Sequence, residues 1–158
     1  MADRIILHSD LNCFYASVEV NENPKLRDQA IAVCGSTEER HGIVLTASYP
    51  AKRRGVKTGM ANWQAVRACS GLICVPPHYD LYVKYSRLVR NIYLRYTDKM
   101  EPYGMDECWL DVSGSRQLHG DGTAIAEEIR KAVRDELGLT VSIGVSFNKI
   151  FAKLGSDM

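Results

Sequence analysis

The sequence predicts an α+β fold, an antiparallel sheet backed by helices, with a smaller segment inserted into it. Two observations carry this. Apolar runs of strand length alternate with helical patterns, and outside residues 21–77 they follow the order strand, helix, helix, strand, helix, strand, helix. A chain of 158 residues, 46% hydrophobic and 25% charged, buries one good core and is too apolar for disorder.

Arg4-Ile5-Ile6-Leu7-His8-Ser9-Asp10 reads as a short buried strand that runs straight into an acid. Asn12 is placed to cap a following helix over residues 13–20, with Phe14 and Val18 inward, and Asn23-Pro24 ends it. The insert offers buried strands at residues 30–34 and 43–47, separated by a polar turn at 37–42. A short helix at 49–54 has Pro50 in its first turn and Gly55 at its end. Asn62 is placed to cap a helix through Ala68, and a short strand at 72–75 is closed by Pro76-Pro77.

The longest helical pattern covers residues 79–96, with Leu81, Tyr85, Leu88, Val89 and Ile92 on one face. Glu101-Pro102-Tyr103-Gly104 reads as a turn before a strand at 105–112, and residues 113–122 as a polar loop. An amphipathic helix then turns Ile125, Ile129, Ala132, Val133 and Leu137 inward and stops at Gly138. Residues 140–145 form a strand, and Asn148 caps the last helix.

A net charge of +1 lacks the basic excess of a protein that grips DNA unaided, and the one dense basic run is Lys52-Arg53-Arg54 with Lys57. Five scattered cysteines without a CxxC pair read as reduced, mostly buried thiols, not a disulfide framework or a zinc site. The opening apolar run is too short for a signal peptide and no segment is of membrane-spanning length, so a cytoplasmic protein is expected, without a membrane partner.

Asp10, at the end of a buried strand, is either a metal ligand or a helix-entry acid. Asp106-Glu107 interrupts an apolar run (Met105, Cys108, Trp109, Leu110, Val112), where unpaired charge is costly to bury. Strand neighbours point to opposite faces, so both acids reach one site only at a bend or strand end. The other reading places one in solvent and one in an ion pair. Asp111 reads as a surface acid. Two acids from one strand and a third from another are what a pair of Mg²⁺ ions needs to clamp a triphosphate and a nucleophilic oxygen. The residues from Tyr49 to Arg54 form either a phosphate-binding helix start or a solvated basic face. Tyr15 either packs or floors a substrate pocket.

Four segments in order resemble the Y-family (DinB/UmuC-type, ImpB/MucB/SamB) translesion DNA polymerases. They are Asp10-Leu11-Asn12-Cys13-Phe14-Tyr15-Ala16-Ser17-Val18-Glu19, residues 46–56 around Tyr49-Pro50-Ala51-Lys52-Arg53, Met105-Asp106-Glu107, and residues 142–154. The resemblance implies a ferredoxin-like palm (residues 1–20 and 78–158) with small fingers (21–77) inserted, the family's thumb and little finger lying outside these residues. It implies that Asp10, Asp106 and Glu107 are catalytic and hold two Mg²⁺ ions, for which Mn²⁺ can substitute, with the Leu11 carbonyl as a further ligand. Tyr15 is then a steric gate against a ribose 2′-hydroxyl, and Thr46, Tyr49 and Lys52 contact the triphosphate with backbone N–H groups near Cys13 and Phe14. Two positions depart from the pattern: Gly104 stands where serine is usual, and Lys52 where arginine is common.

The function this implies is DNA-directed DNA synthesis on a primer-template with dNTPs, in DNA damage tolerance, with residues 1–158 weak or inactive alone. A sliding clamp is a partner the family leads one to expect, through a C-terminal region. The alternative is a degenerate palm kept as a non-catalytic nucleotide- or DNA-binding module, which the three acids and the tyrosine argue against. A nucleotide cyclase would lack the basic helix.

Overall fold

The computed structural model describes residues 4–35 and 42–158, so all but Gly42 of the turn expected at 37–42 lies outside the described residues. In chain order the elements are β1 (Ile6–Leu11), α1 (Phe14–Glu22), β2 (Ile31–Cys34), β3 (Val44–Ala47), α2 (Tyr49–Arg53), α3 (Asn62–Ala68) and β4 (Ile73–Val75). They continue with α4 (Tyr79–Tyr93), β5 (Met100–Tyr103), β6 (Glu107–Asp111), α5 (Arg116–His119), α6 (Gly122–Leu137), β7 (Val141–Ser146) and α7 (Lys149–Asp157). Two compact units result: Met1–Asn12 with Val83–Met158, and Cys13–Tyr82.

The first unit is built on a four-stranded sheet in the order β5-β6-β1-β7, antiparallel throughout. This is the strand order of a βαββαβ, ferredoxin-like arrangement, as the family resemblance implied. Alternation along β1 divides its side chains between the two faces of the sheet. Leu7 and its partner Val145 face Gly122 of α6, and the Ser9 hydroxyl bonds the Tyr93 hydroxyl of α4. His8 and its partner Gly144 face α7 on the other side. Helices α4 and α6 therefore cover one face and α7 part of the other.

Gly144 is what lets α7 lie so close. A Cβ at that position would sit 1.9 Å from the Ala152 carbonyl oxygen and 2.5 Å from the Ser156 nitrogen, and Gly155 opposes it across the contact. Asn148 caps the helix by accepting from the Phe151 N–H at 2.9 Å, as expected, and Asp121 caps α6 in the same way.

Several expectations are corrected. Residues 100–103 are a strand, not a turn: β5 pairs with β6 through Met100↔Leu110 and Tyr103↔Glu107. Proline is tolerated there because β5 is an edge strand, where its missing N–H costs no ladder bond. Asn12 does not cap α1; Cys13 stands at the N-cap in the left-handed region (φ 46°), and the Asn12 side chain bonds Ser142 and Thr140 instead. Ala61, not Asn62, precedes α3, with its N–H held by the Gln64 side chain. The buried face of α4 is Tyr82, Ser86, Val89, Ile92 and Tyr93, while Leu88 is exposed, because both tyrosine hydroxyls find buried partners. The loop at 113–122 contains a short 3₁₀ turn and α5.

The second unit has a three-stranded sheet, with β2 central, antiparallel to β3 and parallel to β4. Its core is made of small side chains, among them Ala32, Cys34, Val44, Ala47, Ala51, Ala65 and Cys69. Cys13, Cys34, Cys69 and Cys108 are buried. No helix among the described residues is long and apolar enough to cross a membrane.

Replacing Gly144 by alanine should destabilise the chain by at least the roughly 1–3 kcal/mol typical of overpacking, because the new methyl meets backbone that cannot swing away. Gly114→Ala, where a Cβ meets open space, should change it little, and paired urea melts measure both.

Candidate active site

Strand pairing brings the acids of the first unit together. Asp10, near the C-terminal end of β1, is the register partner of Glu107, the first residue of β6, and the Leu11 N–H donates to the Asp106 carbonyl at 2.9 Å. Asp106 is not in the strand but in the β5–β6 turn, so alternation no longer separates the two neighbouring acids. The missed strand β5 is the reason: it moves the bend from residues 101–104 to 104–106. Gly104 begins that bend at φ 68°, a conformation glycine adopts freely and serine does not. Arg90 of α4 pins it by donating to the Gly104 carbonyl at 3.0 Å, and Ser86 donates to that of Met105 at 2.8 Å.

The cluster carries more negative charge than its surroundings offset. Burial raises the Asp10 carboxyl to about 6, with Glu107 and then Asp106 adding to the rise. Asp106 is raised as well, chiefly by burial. Glu107 has a counter-charge: Lys153 of α7 donates to its Oε1 at 2.8 Å. Nε2 of His8 lies 3.3 Å from that same oxygen, too poorly aligned to form a hydrogen bond. His8 is fully buried, with Trp109 edge-on at 4.9 Å and Nδ1 at 2.6 Å from the Ser156 hydroxyl, and burial lowers its pKa.

Among the described residues no three acidic, histidine or cysteine side chains are gathered as tightly as a bound metal ion requires. Glu107 is turned to Lys153. The donor set is nonetheless one of hard oxygens short of positive charge, and so fits Mg²⁺ or Mn²⁺.

The other expected residues belong to the second unit. Tyr15 of α1 stacks on Tyr82 (centroids 4.2 Å apart, planes 12°) and meets Tyr79 edge-on. Tyr82 donates to Glu19 Oε1 at 2.5 Å, and His78 Nδ1 lies 2.7 Å from the same oxygen, so a buried carboxylate anchors the stack. Phe14 is buried against these rings, and Cys13 holds its left-handed turn just before them. Thr46 is on β3; Tyr49 begins α2 exposed, with the Lys52 ammonium 6.0 Å from its ring centroid.

Sequence reasoning missed Lys153, His8 and Glu19 as members of these arrangements. A signal existed for His8, which shares a strand face with Asp10, and for Lys153, three residues before Ser156 on the inward face of α7. None existed for Glu19, whose partners lie 59 and 63 residues away.

Burial of Asp10 couples the stability of the chain to pH. The folded chain holds this proton up to about pH 6, whereas an unfolded aspartate releases it near 3.8. Stability from this group is therefore full below pH 3.8, falls as pH rises towards 6, and is lost above it. In metal-free buffer Asp10→Asn should equal the wild type near pH 3. It should exceed it by roughly 1–2 kcal/mol at pH 7.5, after discounting for partial exposure. Denaturant melts across that range test the sign.

The impB/mucB/samB family model matches residues 9–157. A DNA polymerase IV of Acetivibrio thermocellus is 59% identical over 155 residues, 98% of this chain and 39% of the relative. One of Escherichia coli is 45% identical, over 98% of this chain and 44% of the relative. The chain thus spans less than half the length of the curated relatives it matches. Among solved structures, an insertion ternary complex of Dbh DNA polymerase is 32% identical with a TM-score of 0.88, over 97% of this chain and 45% of that one. The crystal structure of DinB from Sulfolobus solfataricus is also 32% identical, over the same shares of the two chains, with a TM-score of 0.87. With the expected motifs in order and the fold they imply in place, the chain belongs to the impB/mucB/samB family of Y-family DNA polymerases.

Proposed function

We propose that this chain is the metal-holding and nucleotide-selecting part of a DNA-directed DNA polymerase of the translesion kind, working in the cytoplasm on primer-template DNA with dNTPs. The observation that carries the reading is the Asp10↔Glu107 pairing with Asp106 in the adjoining turn, which sets three acids from two strands and a bend at one end of the sheet. The relatives' names and the ternary complex of a related polymerase support the same reading.

On this reading the four-stranded sheet of the first unit belongs to the palm and the three-stranded sheet of the second to the fingers. The boundaries expected from the sequence, residues 21–77 for the fingers, stay our proposal, supported by the separate three-stranded sheet between them. Asp10, Asp106 and Glu107 hold two Mg²⁺ ions (or Mn²⁺), with the Leu11 carbonyl as a further ligand. When bound, the ions supply Lewis-acid polarisation and neutralise charge for in-line displacement at a phosphoryl group. Lys52 meets the triphosphate as a point charge, with the Tyr49 hydroxyl, the Thr46 hydroxyl and the N–H groups of Cys13 and Phe14 orienting it. Tyr15 selects the sugar by clash with a 2′-hydroxyl, and the Tyr82 ring behind it keeps it from yielding. A sliding clamp is proposed as a partner through a longer chain.

Two outcomes test this. In a longer protein containing this chain, Asp106→Ala should abolish primer extension with Mg²⁺ and dNTPs; extension at the wild-type rate would remove Asp106 from the site. Tyr15→Ala should raise ribonucleotide over deoxyribonucleotide incorporation by at least about tenfold, the equivalent of ~1.4 kcal/mol of lost steric discrimination. Single-nucleotide insertion kinetics measure the ratio, and an unchanged ratio would rule out Tyr15 as the gate.

A further inference from the structure

We propose that Lys153 is a built-in counter-cation of the acidic cluster, bound to Glu107 while no divalent ion is present and displaced from it when one is held. The inference rests on the metal-site reading of Asp10, Asp106 and Glu107 given above.

The placement of Lys153 is not a surface accident. It projects from α7, which is seated on β7 by the Gly144–Gly155 contact and tied to β1 by the bond between Ser156 and buried His8. From there its ammonium reaches Glu107 Oε1 at 2.8 Å and stands 4.0 Å from Asp157. Glu107 is the less exposed partner, at 17% of its side chain against 39% for lysine. The lysine end can therefore leave on its flexible four-carbon stem while the carboxylate stays in the cluster.

Its charge suits the role. One ammonium, held by one carboxylate of the three, offsets only part of their charge. A divalent ion would offset more, and it would draw on the Glu107 carboxylate whose Oε1 Lys153 occupies. Two cations that each need Glu107 and repel one another bind in competition, and the coupling is reciprocal. At a separation of ~6 Å, with water-like screening, removing the ammonium should strengthen divalent binding up to about tenfold, and less in added salt. Before an ion arrives, Lys153 also restrains Glu107, so the site opens from one defined state. Lys153 is on this account a positioning residue: it acts through Glu107 and touches no reacting atom.

The test is Mn²⁺ affinity, read by the electron paramagnetic resonance signal of free Mn²⁺, on the 158-residue chain and its Lys153→Met, Lys153→Arg and Asp106→Ala variants, without DNA or nucleotide. The expected pattern is three- to tenfold tighter binding for Lys153→Met, binding no tighter than wild type for Lys153→Arg, and clear weakening for Asp106→Ala. Thermal melts confirm that each variant is folded, which the exposure of Lys153 favours. Equal or weaker binding by Lys153→Met, with Asp106→Ala still weakened, would overturn the role of Lys153 and leave the metal site standing. No Mn²⁺ binding by the wild type, or none lost in Asp106→Ala, would overturn the metal-site reading and this inference with it.

Discussion

The register of β1 between β6 and β7 is the constraint on which the first unit depends. Asp10 faces Glu107 on one side and Ser142 on the other, and His8 faces Trp109 and Gly144. A slip of one residue would turn Leu7 and Ser9 towards α7 and send His8 and Asp10 under α4 and α6. The fold resists this on both faces. Leu7 and Leu110 are fully buried in the helix-covered core, and only Gly144 admits α7 on the other side. The chemistry is placed by packing that takes no part in it.

Given that register, charge becomes the second constraint. Three carboxylates at one end of a sheet repel, and the chain relieves this only in part, through Lys153 on Glu107. Burial, with Glu107 and Asp106 adding to it, makes Asp10 hold its proton to an unusually high pH. On the metal-site reading proposed above, a divalent ion would balance these carboxylates better than Lys153 alone does. The second unit follows a different rule. Its aromatic stack of Tyr15, Tyr79 and Tyr82 is neutral and anchored on buried Glu19, so its geometry is set by ring packing and one strong hydrogen bond.

Much of this was legible in the residues, and the failures have physical causes. The strands that became β1, β2, β3, β4 and β7, and the helices α2, α6 and α7, followed from apolar periodicity and end signals. Strand β5 escaped because Met100-Glu101-Pro102-Tyr103 has no alternation and carries a proline, which an edge strand accepts and a sequence reading takes for a turn. That one miss left the acidic pair unexplained, since only a hairpin with its bend at 104–106 frees Asp106 from strand alternation. Asn12 looked like a helix cap because local sequence does not reveal that Ser142, 130 residues away, claims its side chain. Lys153 was legible as part of a motif, but not as the partner of Glu107, which depends on how closely two glycines let α7 approach.

A crystal of the chain soaked with Mn²⁺ and read by anomalous scattering tests most directly whether the three acids hold a divalent ion. An anomalous peak is expected bounded by the carboxylates of Asp10, Asp106 and Glu107, with the Lys153 ammonium moved off Glu107 Oε1. The contradicting result would be a soaked crystal with no peak among those three acids and the 2.8 Å contact between Lys153 and Glu107 intact.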